Sequence, residues 1–252
     1  MPMPLVRRSA MPILLNSDTP LPSGFPLANL GDLPLQGVTI LVVEDSRYAC
    51  EALRLISQRA GARLRRAETL AAARAHLRVY RPDVVIVDLG LPDGRGEALI
   101  AELALSQQRP HVVLGTSGNP AGRTSALAAG AEDFMDKPVE SFARFCATLR
   151  AHLPGLAPLQ QAASEVEDTA INPDPLALQD DLIRAAAALS RDPDAAGRRY
   201  LTGFLVGLAH HAHDVDLADA ANQPDLESLR LLLNARLTTV DQTAVFSGKG
   251  GV

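Results

Sequence analysis

From Val38 onward the chain alternates short apolar runs with amphipathic stretches, and that alternation is its first structural signal. Thr39-Ile40-Leu41-Val42-Val43 is a β-rich run closed by the polar Glu44-Asp45-Ser46. Ala49, Leu53, Ile56 and Ala60 then recur at helical spacing. Arg63-Leu64-Arg65-Arg66 reads as an edge strand, residues 71–77 as a helix, and Val84-Val85-Ile86-Val87 as a third, wholly apolar strand. Beyond it the pattern predicts a helix over 98–105, a strand over 112–114 and a helix over 122–129. A strand over 131–135 and a helix over 139–153 follow. Strands with no polar face need cover on both sides, which a parallel sheet flanked by helices supplies. With right-handed crossovers the expected fold is α/β, an open doubly wound sheet of five parallel strands.

The flanks behave differently. Residues 1–36 carry many prolines and no sustained period, and read as a disordered leader. Residues 154–173 hold Pro154, Pro158, Glu165, Glu167 and Asp168, and read as a linker. Helical stripes return after Pro175: Leu178, Leu182, Ala185 and Leu189; Leu201, Phe204, Leu205 and Leu208; Leu226, Leu229, Leu233 and Leu237. The expected division is a leader over 1–36, an α/β domain over 37–153 and a linker over 154–173. A small all-α region over 174–240 and a flexible tail over 241–252 complete it.

Composition narrows the function classes. Across 252 residues, 24 basic side chains face 29 acidic ones, a net charge of −5. A broad basic surface for nucleic-acid phosphates is thereby excluded. Aromatics are 4% of the chain and Trp is absent, which argues against a stacking platform for single strands. The two cysteines, Cys50 and Cys146, lie far apart and read as buried hydrophobes of a reduced, cytoplasmic protein. No run approaches the roughly 18 apolar residues of a membrane span. Met11-Pro12-Ile13-Leu14-Leu15 is too short for a signal sequence.

The chemistry concentrates at strand ends, where open α/β sheets bind ligands. Glu44 and Asp45 follow the first strand and Asp88 ends the third, its expected neighbour. Three carboxylates in one crevice repel one another and are costly to desolvate. A hard divalent cation such as Mg²⁺ resolves that conflict. Taken singly, each acid could equally cap a helix or face water. The fourth strand ends at Thr116-Ser117-Gly118 and the fifth at Lys137-Pro138. Lys137 and Lys249 are the two lysines in a chain whose other 22 basic residues are arginines. A compact ammonium is thus specified at the rim where a guanidinium is the default. Cation, ammonium and hydroxyl together are parts that hold a phosphoryl group.

Four motifs in order carry a family resemblance. They are Leu41-Val42-Val43-Glu44-Asp45-Ser46, Val87-Asp88-Leu89-Gly90-Leu91-Pro92-Asp93-Gly94-Arg95-Gly96, Thr116-Ser117-Gly118, and Gly130-Ala131-Glu132-Asp133-Phe134-Met135-Asp136-Lys137-Pro138. Residues 38–153 resemble the receiver domain of bacterial two-component response regulators, which has a flavodoxin-like fold. The resemblance implies that Asp88 accepts a phosphoryl group from a histidine kinase or phosphotransfer protein. Glu44, Asp45, Asp88 and the backbone carbonyl of Gly90 would hold Mg²⁺, and Lys137 would pair with the phosphoryl oxygens. Thr116, or alternatively Ser117, would be the switch hydroxyl, and Phe134 the switch aromatic. A cis Lys137–Pro138 bond is implied as well. Such a protein is a signalling phosphoacceptor rather than an enzyme. Gly90 and Gly118 depart from the family by lacking side chains along the attacking-water route, which leaves autodephosphorylation open.

The segment 171–252 holds 7 basic and 11 acidic residues, so no basic recognition helix is evident and nucleic acid is not the expected partner. The expectation is a helical hairpin or bundle that packs on the receiver, or associates with an output protein or as a homodimer. A divergent DNA-binding tail is the alternative. His210, His211 and His213 admit three readings: a phosphotransfer histidine, a metal site through His210, His213 and Asp214, or cations at a helix C-terminus.

Overall fold

The computed structural model describes residues 33–119, 121–156, 172–223 and 225–246. Most of the leader and of the linker lie outside the described residues, as do residues 247–252.

The α/β part contains β1 (Thr39–Val43), α1 (Arg47–Arg59), β2 (Arg63–Ala67), α2 (Leu70–Val79) and β3 (Val84–Asp88). A two-stranded hairpin, β4 (Gly90–Leu91) and β5 (Gly94–Arg95), leads into α3 (Gly96–Ala104). Then come β6 (Val112–Ser117), α4 (Gly122–Ala129), β7 (Asp133–Asp136) and α5 (Phe142–His152). Five strands form one parallel sheet in the order β2-β1-β3-β6-β7. The period of two in each strand sends side chains alternately to the two faces. Ile40, Val42, Val84, Ile86 and Leu114 pack under α1 and α5 with Leu53, Ile56, Phe145 and Leu149. Leu41, Val43, Val85, Val87 and Val113 pack under α2, α3 and α4 with Leu70, Leu99, Ile100 and Ala126. The doubly wound architecture is as expected.

Two boundaries move. Leu35, assigned to the leader, is wholly buried against the α1 and α5 side of the core, and its N–H donates to the Ala60 carbonyl at 2.8 Å. A single apolar residue in a proline-rich stretch carries no period, so its burial left no pattern to read. The last helix also runs past residue 240, because an established helix adds one backbone bond per residue without needing an apolar stripe.

The helical part comprises α6 (Pro175–Leu189), α7 (Ala195–His211), α8 (Val215–Asn222) and α9 (Leu226–Phe246). Leu182, Leu189, Leu201, Leu205, Leu208, Leu217, Leu229 and Leu233 make a third core, separate from the two around the sheet. α8 was not foreseen: its two turns bury only Leu217, Ala218 and Ala221, too short a stripe to stand out. Asp214 caps it, accepting from the Leu217 N–H at 3.0 Å. α6 and α7 both pack against α1.

Candidate functional site

The parallel register fixes which side chains meet at the carboxyl edge of the sheet. β1 ends one residue before Glu44, while Asp88 is the last residue of β3 and pairs in register with Thr116 of β6. Lys137 follows β7 directly, and its N–H donates to the Ser117 carbonyl at 3.1 Å. Lys137 Nζ lies 2.8 Å from Asp88 Oδ2 and 2.5 Å from Glu44 Oε2, all three side chains being almost wholly buried. Asp88 Oδ1 accepts the Gly90 N–H at 3.1 Å, and Glu44 Oε1 accepts the Ser46 N–H at 3.0 Å. One carboxylate oxygen each from Glu44, Asp45 and Asp88 lies within 4.8 Å of the others. The Lys137–Pro138 bond is cis.

Burial dominates the electrostatics. Desolvation pushes the Asp88 carboxyl up to about 6, against the opposing pull of Lys137. Glu44 and Asp45 are also raised, first by burial; Lys137 chiefly opposes this for Glu44, and the Tyr200 hydrogen bond for Asp45. The two carboxylates beside Lys137 outweigh its burial and hold its ammonium above the usual range. Three buried acids face one buried ammonium, with the partly exposed Arg184 guanidinium 3.7 Å from Asp45 Oδ2. Asp45 Oδ1 is buried without a hydrogen-bond partner.

Backbone geometry secures Asp88. The first residue of α3 is Gly96, where an added Cβ would stand 2.1 Å from the Asp88 carbonyl oxygen. Arg66 braces the other acids from β2, donating to the Glu44 carbonyl at 3.0 Å and the Asp45 carbonyl at 2.6 Å. The two candidate hydroxyls differ. Ser117 Oγ accepts the Asn119 N–H at 3.1 Å in a turn, whereas the buried Thr116 Oγ1 has no partner. Phe134 is buried inward, against Gly115 and Gly122.

Several residues at this edge come from the helical tail and carried no local sequence signal. The Tyr200 hydroxyl of α7 donates to Asp45 Oδ2 across 155 positions of sequence. Arg184 of α6 donates to the Asp45 carbonyl at 2.6 Å and stands 3.7 Å from Asp45 Oδ2. Asp181, fully buried, accepts from Ser46 Oγ at 2.8 Å and from the Tyr48 N–H at 3.0 Å. A cleft of about 980 Å³ remains between α7 and the strand ends, lined by Asp88, Lys137, Tyr200, Gly207, His210 and His211 among others.

The three histidines part company. His213 turns to Glu140, with Nε2 3.3 Å from Oε1. Asp214 directs both oxygens to Arg236, at 2.7 and 2.9 Å. His210, His213 and Asp214 therefore do not assemble as a metal site. His211 is not a helix-end cation either: burial first, and then the Lys137 ammonium, push its imidazole down to about 4. Its Nδ1 lies 2.9 Å from the Gly207 carbonyl.

A family model described as the response regulator receiver domain matches residues 40–150. This part of the chain is a receiver domain. The match ends before α6, so the tail lies outside it. The KDP operon transcriptional regulatory protein KdpE of Escherichia coli K12 is 36% identical over 122 residues, 47% of this chain and 54% of that protein. The transcriptional regulatory protein PhoP of Escherichia coli O157:H7 is 34% identical over 122 residues with the same shares. The chain thus spans about half the length of the curated relatives it matches. Among solved structures, a putative response regulator from Chloroflexus aurantiacus J-10-fl is 26% identical, with a TM-score of 0.42 over 44% of this chain and 96% of that one. No helix among the described residues is long and apolar enough to cross a membrane.

Proposed function

We propose that the receiver domain is a Mg²⁺-dependent phosphoacceptor in which Asp88 takes a phosphoryl group from a histidine kinase or phosphotransfer protein in the cytoplasm. The observation that carries this reading is the buried triad of Glu44, Asp45 and Asp88 facing the lone ammonium of Lys137. The donor set is all oxygen, and the orphaned Asp45 Oδ1 is a buried acceptor in need of a cation, so the residues fit Mg²⁺. Glu44, Asp45, Asp88 and the Gly90 carbonyl are the groups to hold it. The ion would supply neutralising charge for the carboxylates and phosphoryl oxygens.

In the transfer, an Asp88 carboxylate oxygen attacks phosphorus while the donor's nitrogen–phosphorus bond breaks and the imidazole leaves. Lys137, now facing a phosphorylated aspartate, pairs with a phosphoryl oxygen. Phosphorylation brings roughly −1.5 to −2 charges and new acceptors. The Thr116 hydroxyl stands in register with Asp88 and has no hydrogen bond to give up, which favours it over Ser117 as the switch. Its movement would vacate space for Phe134 and alter the faces of α4 and α5. Incubation with a small acyl phosphate and Mg²⁺ should label wild type and leave Asp88→Asn unlabelled. Equal labelling refutes the reading.

A second reading, a relay in which phosphoryl passes from Asp88 to His211, is favoured by the neutral imidazole lining the same cleft. Label reaching His211 only while Asp88 is intact supports it. The expectation against nucleic acid is weakened by the names of KdpE and PhoP as transcriptional regulators. The output of α6–α9 is then either a protein contact or DNA binding. DNA binding would show a steep dependence on salt.

A further inference from the structure

The tail residues that reach the acidic site all converge on one of the three carboxylates. Tyr200 donates its hydroxyl to Asp45 Oδ2, and Arg184 approaches the same oxygen while donating to the Asp45 backbone carbonyl. The N-cap and first residues of α1 are held too, Ser46 and Tyr48 by Asp181 and Arg47 by Asp180 at 2.7 Å. Neither Asp88 nor Glu44 receives a tail hydrogen bond among the described residues. The tail therefore grips Asp45 and the start of α1 beyond it, and leaves the phosphoacceptor itself open to the cleft.

α7 passes close to the end of β6 at Gly118. Gly118 follows β6, and an added Cβ there would sit 3.4 Å from His210 Nδ1 and 3.9 Å from Gly207 Cα. Gly203 and Gly207, one turn apart, offer no side chain on the α7 surface that lines the cleft. A Cβ at Gly118 would only reach ordinary van der Waals contact with α7, and one at Gly90 would meet nothing within 4 Å.

We propose that α6 and α7 act as an internal competitor for the divalent cation, with Tyr200 and Arg184 as the positioning residues that set its affinity at Asp45. This rests on the reading of Asp45 as a cation ligand. A phenol proton and a guanidinium supply at Asp45 Oδ2 part of the positive charge that a cation would supply. A divalent ion arriving at the unpartnered Asp45 Oδ1 meets Arg184 as a like charge, and a carboxylate whose other oxygen already serves the Tyr200 hydroxyl. Coupling of this kind is reciprocal: whatever the docked tail subtracts from cation binding, the bound cation subtracts from tail docking. Loading the site with its cation therefore loosens the helix that lies over Asp88.

The test uses the full chain as wild type, Tyr200→Phe, Arg184→Gln and Asp45→Asn. Mg²⁺ binding is measured by calorimetry, and amide exchange of α7 with and without saturating Mg²⁺. Tyr200→Phe should bind Mg²⁺ on the order of tenfold more tightly, the scale of one hydrogen bond to a charged group. Arg184→Gln should shift affinity in the same direction, and α7 of wild type should exchange faster once Mg²⁺ is bound. Unchanged affinity in both tail variants, with α7 protection indifferent to Mg²⁺, overturns the competition. If Asp45→Asn then still loses Mg²⁺ binding, the phosphoacceptor reading stands. Full Mg²⁺ affinity in Asp45→Asn overturns both.

Discussion

Asp88 and Thr116 stand opposite each other in register on β3 and β6, yet the buried Thr116 hydroxyl has no hydrogen-bond partner. An unmade hydrogen bond at a buried group costs about 1–3 kcal/mol, so the fold carries this hydroxyl at a loss. Thr116→Val removes the hydroxyl and keeps the shape. It should raise stability by about 1 kcal/mol, read from the urea midpoint, while abolishing the phosphorylation-dependent change in α4 and α5 seen by amide exchange.

The Asp88 carboxyl, pushed up to about 6, gives the site a pH profile of definite sign. Only the charged form attacks phosphorus, so labelling by a small acyl phosphate should fall as pH drops, and a bound divalent cation, which favours the charged carboxylate, should move that fall below about 6. The stability effect runs the other way. A folded-state value above the ordinary 3.8 means the native state holds the proton more tightly, so the cost of burying this charge is full above 6. It shrinks as pH falls from 6 and vanishes below 3.8. Asp88→Asn should therefore be more stable than wild type at pH 7.5 by about 1–3 kcal/mol, and equal to it near pH 4.

Lys137 is the counter-case, a single ammonium shared by two buried acids. Lys137→Met leaves Glu44 and Asp88 facing each other without a cation. Breaking a buried pair by removing one partner costs about 3–5 kcal/mol. The loss at pH 7.5 should appear as a lower urea midpoint, should narrow at pH 5 as the raised carboxyls protonate, and should be partly reversed by Mg²⁺.

The sheet and the acidic edge were legible for one reason: in a parallel sheet covered on both faces, strands are uninterrupted apolar runs, and a polar residue at the end of a run marks the ligand edge. Val84 to Val87 and Asp88 show this directly. Local periodicity says nothing about pairs such as Tyr200 and Asp45, which meet only because α7 crosses the strand ends. Asp181 was equally hidden, reading as one more acid on an amphipathic helix although it is fully buried. His211 was placed at a helix terminus correctly, but its partial burial in the cleft beside Lys137 depends on how α7 crosses the strand ends. The hairpin of β4 and β5 escaped notice because two-residue strands have no period.

Asp181 also decides how firmly the tail is bound to the receiver. It accepts from Ser46 Oγ, from the Tyr48 N–H and from Arg184 at 3.2 Å, and Ser46 Oγ in turn caps α1 through the Ala49 N–H. Asp181→Ala strands the Tyr48 N–H and deprives Arg184 of an anchor, for a cost of about 2–4 kcal/mol. The apolar core of α6 to α9 is separate from the two cores around the sheet, so the damage should stay at the junction. Amides of α6 and α7 should exchange faster in Asp181→Ala, while those of β1 and β3 keep their protection. An Asp181→Asn variant retains an acceptor and should lie between the two. Uniform loss of protection across the sheet in Asp181→Ala would mean that receiver and tail unfold as one unit. The Asp181 carboxylate would then hold together the whole fold, rather than a lid over Asp88.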